Sequence, residues 1–204
     1  MLTLRPYQEE TLEALRKGFA SGKNRQVLYA PTGAGKTEMA IALLSATQKK
    51  GNRSAMLLDR IVLCDQTSSR LSSYSIDHGV LQSGHWRYRP YELIQVCSAQ
   101  TLERRDDFPD LKLLIIDEAH TTRKKTMEYI NANPDVKVIG LTATPFTKGM
   151  GKVYDNVYRR SRLDSWSTKG FCVLLRYLLP KRLTWMGPRK SQGNGHRMRS
   201  PHEG

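Results

Sequence analysis

The sequence predicts an α/β fold, a parallel β-sheet carrying helices on both faces. Three observations predict it. Short apolar runs alternate with longer stretches of helical spacing through residues 1–150. A Gly-containing turn ending in Gly35-Lys36-Thr37 joins one such run to one such helix. Paired carboxylates and a Thr-rich turn then stand at the ends of two later runs, where ligands collect on a parallel sheet.

The elements follow in order. Leu4-Arg5-Pro6-Tyr7-Gln8 opens a helix that starts near Pro6 and ends between Gly18 and Gly22, with Leu12, Leu15 and Phe19 as its apolar stripe. Gln26 to Tyr29 is a short buried strand, and Glu38 to Leu44 the helix beyond the Gly turn. Lys49 to Asn52 is a polar turn before the strand Ser54–Leu58. Ile61 to Leu71 returns to helical spacing, with Ile61, Leu63 and Leu71 among its apolar positions. Val80 and Leu81 suit a short strand, and Leu93 to Cys97 another. Ser98 to Arg105 reads as a turn and short helix. Leu111 to Ile116 and Val136 to Leu141 are the last two strands. The pentapeptide His85-Trp86-Arg87-Tyr88-Arg89 is basic and aromatic, which could stack on or clamp nucleic acid, but an ordinary exposed loop is the preferred reading.

Ala30-Pro31-Thr32-Gly33-Ala34-Gly35-Lys36-Thr37 fits a phosphate-binding loop once its first Gly is relaxed to Ala30. Gly33 and Gly35 let backbone N–H groups turn inward, and the helix that follows adds its N-terminus. Thr32, Gly33, Ala34, Gly35, Lys36 and Thr37 are therefore candidate nucleotide ligands, Lys36 at the outer phosphates and Thr37 at a magnesium ion. Asp117-Glu118-Ala119-His120 ends a buried strand. Downstream of a phosphate loop, one carboxylate can help hold the metal while the other orients and deprotonates an attacking water. Acidic residues favouring a helix N-terminus would explain the acids but not their pairing with the loop. The motifs at 31–37, 117–120 and 142–145 all fall at carboxyl ends of strands and converge on one site.

Charge is unevenly spread. The chain carries +14 formally; residues 1–150 hold 21 Lys and Arg against 16 Asp and Glu, and the last 54 hold 12 against 3. A basic chain suits a polyanionic partner. Cys64, Cys97 and Cys172 are far apart with no C-x-x-C pair, which argues against zinc or a disulfide framework and fits a reducing, cytoplasmic compartment. No apolar run approaches a membrane span and no signal-peptide core is present, so no membrane partner is expected.

In order, the motifs resemble the first motor lobe of a superfamily-two DEAH/DExH-box helicase or translocase, over residues 2–157. They are Leu4-Arg5-Pro6-Tyr7-Gln8, the loop ending Gly35-Lys36-Thr37, Arg60-x-x-Leu63-x-x-Gln66, Ser98-Ala99-Gln100-Thr101-Leu102, Asp117-Glu118-Ala119-His120 and Thr142-Ala143-Thr144-Pro145. The restriction-enzyme-like branch, which acts mostly on DNA, is the most similar. The resemblance implies a RecA-like P-loop NTPase lobe that uses ATP and Mg2+, with DNA favoured over RNA as partner. It implies that Gln8, with Arg5 and Tyr7 nearby, reads the adenine edge. Lys36 would hold the β- and γ-phosphates, Thr37 and Asp117 the magnesium, and Glu118 the hydrolytic water. His120 would couple this site to Thr142 and Thr144. Arg60, Gln100 and Thr101, with Arg104 and Arg105, would touch the phosphodiester backbone.

Two departures from the family are expected. A second motor lobe with its arginine fingers has no counterpart after Pro145, so the chain should bind ATP, hydrolyse it weakly and not unwind alone. The alternatives are a non-enzymatic module that binds nucleotide or nucleic acid and regulates a partner, and a self-sufficient P-loop ATPase of another family. Residues 158–204 form an irregular basic tail in which no helix or strand period persists. Such a tail reads as a disordered nucleic-acid-binding arm, or as sequence translated out of frame. We prefer the second: codons can be chosen for Leu163 to Cys172 and for Pro180 to Asn194 whose shifted frame spells acid-balanced, family-like text.

Overall fold

The computed structural model describes residues 2–105, 108–144 and 150–159. The expected tail, but for its first two residues, lies outside them, as does Pro145.

Five helices and seven strands are described. Helix α1 spans Pro6–Ala20, α2 Lys36–Gln48, α3 Ile61–Ser73, α4 Ala99–Arg105 and α5 Lys124–Ala132. Strand β1 is Arg25–Tyr29, β2 Ser54–Leu58, β3 Gly79–Leu81, β4 Ile94–Ser98, β5 Leu113–Ile116, β6 Lys137–Thr142 and β7 Asn156–Arg159. All six pairings are parallel, in the order β3-β4-β2-β5-β6-β1-β7. This is the parallel α/β sheet expected. Two elements were not read from the sequence. Helix α5 buries only Thr126 and Ile130, although Met127 and Ile130 stand at helical spacing on it. Strand β7 pairs with β1, Val27 opposite Val157, and takes the paired sheet to Arg159, past the lobe boundary drawn at 157.

Strand alternation divides the core between the two faces. On one face Leu28, Met56, Leu58, Leu113, Ile115, Ile139 and Leu141 meet Leu12 and Leu15 of α1, Met39, Ile41 and Leu44 of α2, and Cys64 and Leu71 of α3. On the other, Val27, Ala55, Leu57, Leu114, Ile116 and Val138 meet Ala99 and Leu102 of α4 and Ile130 of α5. The central strands β2 and β5 are thus buried on both sides, which is why they read as nearly continuous apolar runs.

The strand order places the site. β6 lies between β5 and β1, so the turns leaving these three strands are neighbours. Pairing continues past the strand ends: Ala30 N–H donates to the Thr142 carbonyl at 3.1 Å, and Asp117 N–H to the Leu57 carbonyl at 2.9 Å.

Candidate active site

The loop after β1 has the backbone that inward-facing N–H groups require. Gly33 and Gly35 adopt φ of +81° and +74°, the left-handed region that side chains disfavour. Gly35 is doubly constrained, since a Cβ there would stand 2.3 Å from Gln8 Nε2. Ala30, the departure from the pattern, is buried at 3% exposure and needs no positive φ. A methyl group is therefore tolerated where Gly is usual.

Helix α1 braces this loop. The Tyr7 hydroxyl donates to the Ala34 carbonyl at 3.1 Å, and Gln8 Nε2 donates to the same oxygen at 3.3 Å. Gln8 Oε1 accepts from Arg5 N–H at 2.8 Å, closing the start of the helix. Each end of the buried amide has one protein partner, leaving one donor and one acceptor position. Lys36 Nζ arcs back to donate to the Ala30 carbonyl at 3.1 Å. Thr32 and Gly33 are exposed at the tip, while Ala34 to Thr37 are half-buried.

The carboxylates face this loop from the end of β5. Burial, then the neighbouring Glu118 charge, raises the Asp117 carboxyl above its ordinary value; the Glu118 backbone N–H and the Lys36 charge oppose this. A cation beside Asp117 would remove that penalty. Thr37 and Asp117 line one cleft of about 520 Å³, so their oxygens face a common space. Among the described residues no group of three His, Cys, Asp or Glu could hold a metal. The donor set therefore fits an ion bound by few protein oxygens and completed by phosphates and water, as Mg2+ is.

Glu118 itself sits at φ 49° and ψ 52°, an uncommon conformation for a non-Gly residue. The turn is held by Thr121, whose N–H and hydroxyl donate to the Glu118 carbonyl at 2.8 and 2.9 Å. Gly140 makes room for it, because a Cβ there would stand 2.7 Å from Ala119 Cβ. Beyond the turn, His120 Nδ1 lies 3.3 Å from Glu118 Oε2 and 3.2 Å from both Thr142 Oγ1 and Thr144 Oγ1. Thr142 Oγ1 also accepts from Thr144 N–H at 3.0 Å. The structure thus brings together Gln8, the loop, both carboxylates, His120 and the two threonines.

The family described as "Type III restriction enzyme, res subunit" matches residues 1–147. The chain belongs to this family.

It is a superfamily-two helicase-type ATP-binding lobe. The DNA 3'-5' translocase XPB2 of Sulfurisphaera tokodaii is 31% identical over 150 residues, covering 71% of the chain and 31% of the translocase. The putative mitochondrial ATP-dependent helicase irc3 of Schizosaccharomyces pombe is 32% identical over 185 residues, covering 80% of the chain and 30% of that protein. The chain therefore spans about a third of the length of these relatives. The UvsW helicase of bacteriophage T4 shares the fold at a TM-score of 0.62 and 16% identity, over 76% of the chain and 60% of UvsW.

The residues this family would turn toward a nucleic-acid strand divide. Arg60 is exposed at the N-terminus of α3, and Asp59 beside it pairs with Arg123 at 2.7 Å, fixing the turn against the start of α5. Gln100 and Arg104 are exposed on α4, but Thr101 is only 7% exposed. Thr101 is thus buried while its neighbours Gln100 and Arg104 on the short helix are exposed. One feature of the restriction-enzyme-type lobe escaped the sequence altogether. Glu38, directly after Thr37, pairs with Arg70 at 2.5 Å and accepts from the Tyr74 hydroxyl at 2.8 Å. This links the helix of the phosphate loop to the helix that begins at Arg60. Its sole sequence signal is the i, i+4 spacing of Arg70 and Tyr74.

Proposed function

We propose that this lobe is the ATP-binding half of a motor that moves on DNA, and that Glu118 activates the water that attacks the γ-phosphate. The observation that carries the reading is His120 Nδ1 within hydrogen-bond reach of Glu118 and of both threonines. A hydrolytic carboxylate and a strand-end threonine pair then share one imidazole, and a change at the nucleotide can reposition both.

In this reading ATP lies across the loop, its adenine edge on the remaining donor and acceptor of Gln8 beside Arg5. Lys36 leaves the Ala30 carbonyl for the β- and γ-phosphates. Thr37 and Asp117 supply the protein oxygens of the Mg2+ shell; bound there, the ion would neutralise charge on the phosphates. Glu118 and Lys36 come from one wall, so turnover by the chain alone is slow and unwinding absent until another lobe closes over the phosphates. DNA is favoured over RNA because one relative is a DNA translocase. Cys64 and Cys97 are buried free thiols, and a chain without disulfides between them suits a reducing compartment.

Binding of a fluorescent ATP analogue, followed by phosphate release with and without single-stranded DNA, tests this. Lys36→Ala should lose binding. Glu118→Gln should keep binding and lose the residual turnover. Hydrolysis surviving in Glu118→Gln would refute the assigned base, and binding without turnover in every condition would fit a motor lobe lacking its partner lobe and a regulatory nucleotide-binding module equally.

A further inference from the structure

The segment between β3 and β4 is not used by the ATP site, and its construction is unusual. β3 is the edge of the sheet. After Gly84 the chain returns along that edge, with Val80 N–H donating to the Arg87 carbonyl at 3.0 Å. Gln95 Nε2 ties down the Arg89 and Glu92 carbonyls at 2.9 and 2.8 Å, and Arg53 donates to the Pro90 carbonyl at 2.5 Å.

Side chains on this return alternate. His85 faces in and meets Asp65 of α3 at 3.1 Å, and Arg87 reaches toward the buried His78 at 3.4 Å. Trp86 and Tyr88 face out, at 78% and 51% exposure, followed by Tyr91 at 74%. Covering a sheet edge explains the inward residues. It does not explain large aromatic rings at the outward ones, which cost solubility unless they meet a partner.

Two of these three rings, Trp86 and Tyr88, are each backed by a guanidinium. Arg87 Cζ is 4.8 Å from the Trp86 ring centre, and Arg105 Cζ, from the end of α4, is 5.6 Å from that of Tyr88. The imidazole of His85 stacks beside Trp86 at 5.8 Å between centres. Arg105 joins this strip to the exposed Arg104 on the same helix, and Asp65 lies one turn beyond Ile61 at the start of α3, next to Arg60.

We infer that Trp86 and Tyr88 form a stacking platform for the bases of single-stranded nucleic acid, with Arg87, Arg104 and Arg105 holding the adjacent phosphates. The inference rests on the nucleic-acid-motor reading above and adds to it a base-contacting surface on the rim of the sheet. Although His85 and Arg87 both flank Trp86, most of its ring stays exposed and open to a base, and the arginines supply the cation that a polyanion needs. Stacking on it is tolerant of sequence, as a moving motor requires.

The test uses the full chain carrying Trp166→Phe and Trp185→Phe, which leaves Trp86 as the single tryptophan of three. Its fluorescence is titrated with oligothymidylate and with an abasic oligomer of equal length. Stacking predicts saturable quenching by oligothymidylate alone. Trp86→Ala should weaken oligothymidylate binding by about 5- to 150-fold and leave abasic binding and the salt slope unchanged, with Trp86→Phe restoring most of the loss. Equal affinity for the two oligomers, or an unaffected Trp86→Ala, would overturn the platform while leaving the motor reading intact and pointing the patch at a protein. If neither oligomer binds, the nucleic-acid reading fails and takes the platform with it.

Discussion

Gly140→Ala is the sharpest test of how the Asp117–His120 turn is placed. The added methyl would stand 2.7 Å from Ala119 Cβ and 2.8 Å from the Tyr154 hydroxyl. Carbon atoms in contact prefer about 3.5–4.0 Å, so the Asp117–His120 turn or β6 must shift by roughly 1 Å. Both neighbours are in the core, Ala119 at 3% and Tyr154 at 5% exposure, and neither can swing into solvent. Overpacking of this kind costs about 1–3 kcal/mol, offset by roughly 0.4–1 kcal/mol because Ala is stiffer than Gly in the unfolded chain. A net loss of about 1–2 kcal/mol should appear as a lower urea midpoint with an unchanged slope. Ala119 also separates Glu118 from His120, so residual ATP turnover should fall more than nucleotide binding. The decisive measurement is the double variant Gly140→Ala, Ala119→Gly, in which removing the second methyl should recover part of the stability. If Gly140→Ala is neutral, or the two effects simply add in a double-mutant cycle, the close approach does not place the turn.

Other outcomes follow from the same geometry. Gly35→Ala should weaken nucleotide binding about 10-fold or more, since it meets both a positive φ and the Gln8 amide, each worth roughly 1 kcal/mol; calorimetric titration with ATP reads the loss, and unchanged affinity would refute the brace. His78 is fully buried between Ser68 Oγ and the Ile76 carbonyl, both at 2.8 Å; burial first, and Arg87 and Arg89 charges with it, lower its pKa below 6.5, against the Ile76 bond and Asp77. Its neutral form is favoured in the fold, so its contribution is complete above about pH 6.5 and is lost as pH falls from there toward the depressed folded value. Urea unfolding between pH 7 and 5 should show that loss, and His78→Gln should flatten the slope; an unchanged slope would refute the assignment. Arg70→Ala removes a pair whose arginine is half-exposed and should cost at most about 1 kcal/mol of stability. Its informative effect is on communication: single-stranded DNA should stimulate ATP turnover less, while nucleotide affinity is unchanged.

The amino-acid sequence by itself determined the sheet and the nucleotide-facing turns. β2 was legible to the residue because Ala55–Leu58 is an apolar run opened by Ser54 after a polar turn, and such a run needs only its own neighbours to declare itself. The phosphate loop declared itself likewise, as two glycines and Lys36-Thr37 between a strand and a helix. Parallel βα alternation then forces the turns at 31–37, 117–120 and 142–145 to one end of the sheet. Tertiary structure alone decided what depends on distant partners. β7 is a strand only because β1 lies beside it; α5, by contrast, carried a readable signal in the i, i+3 spacing of Met127 and Ile130 that the sequence reading passed over. The backbone of Glu118 is left-handed because the Thr121 bonds and the space above Gly140 stabilise a turn that Glu does not prefer. Thr101 faces the core, and Trp86 and Tyr88 face out, because the packing of α4 and the return along β3 fix which side is buried. Local spacing records a period of two or three to four residues. Contacts between residues 27 and 157, or 119 and 140, leave no such record until the sheet has formed.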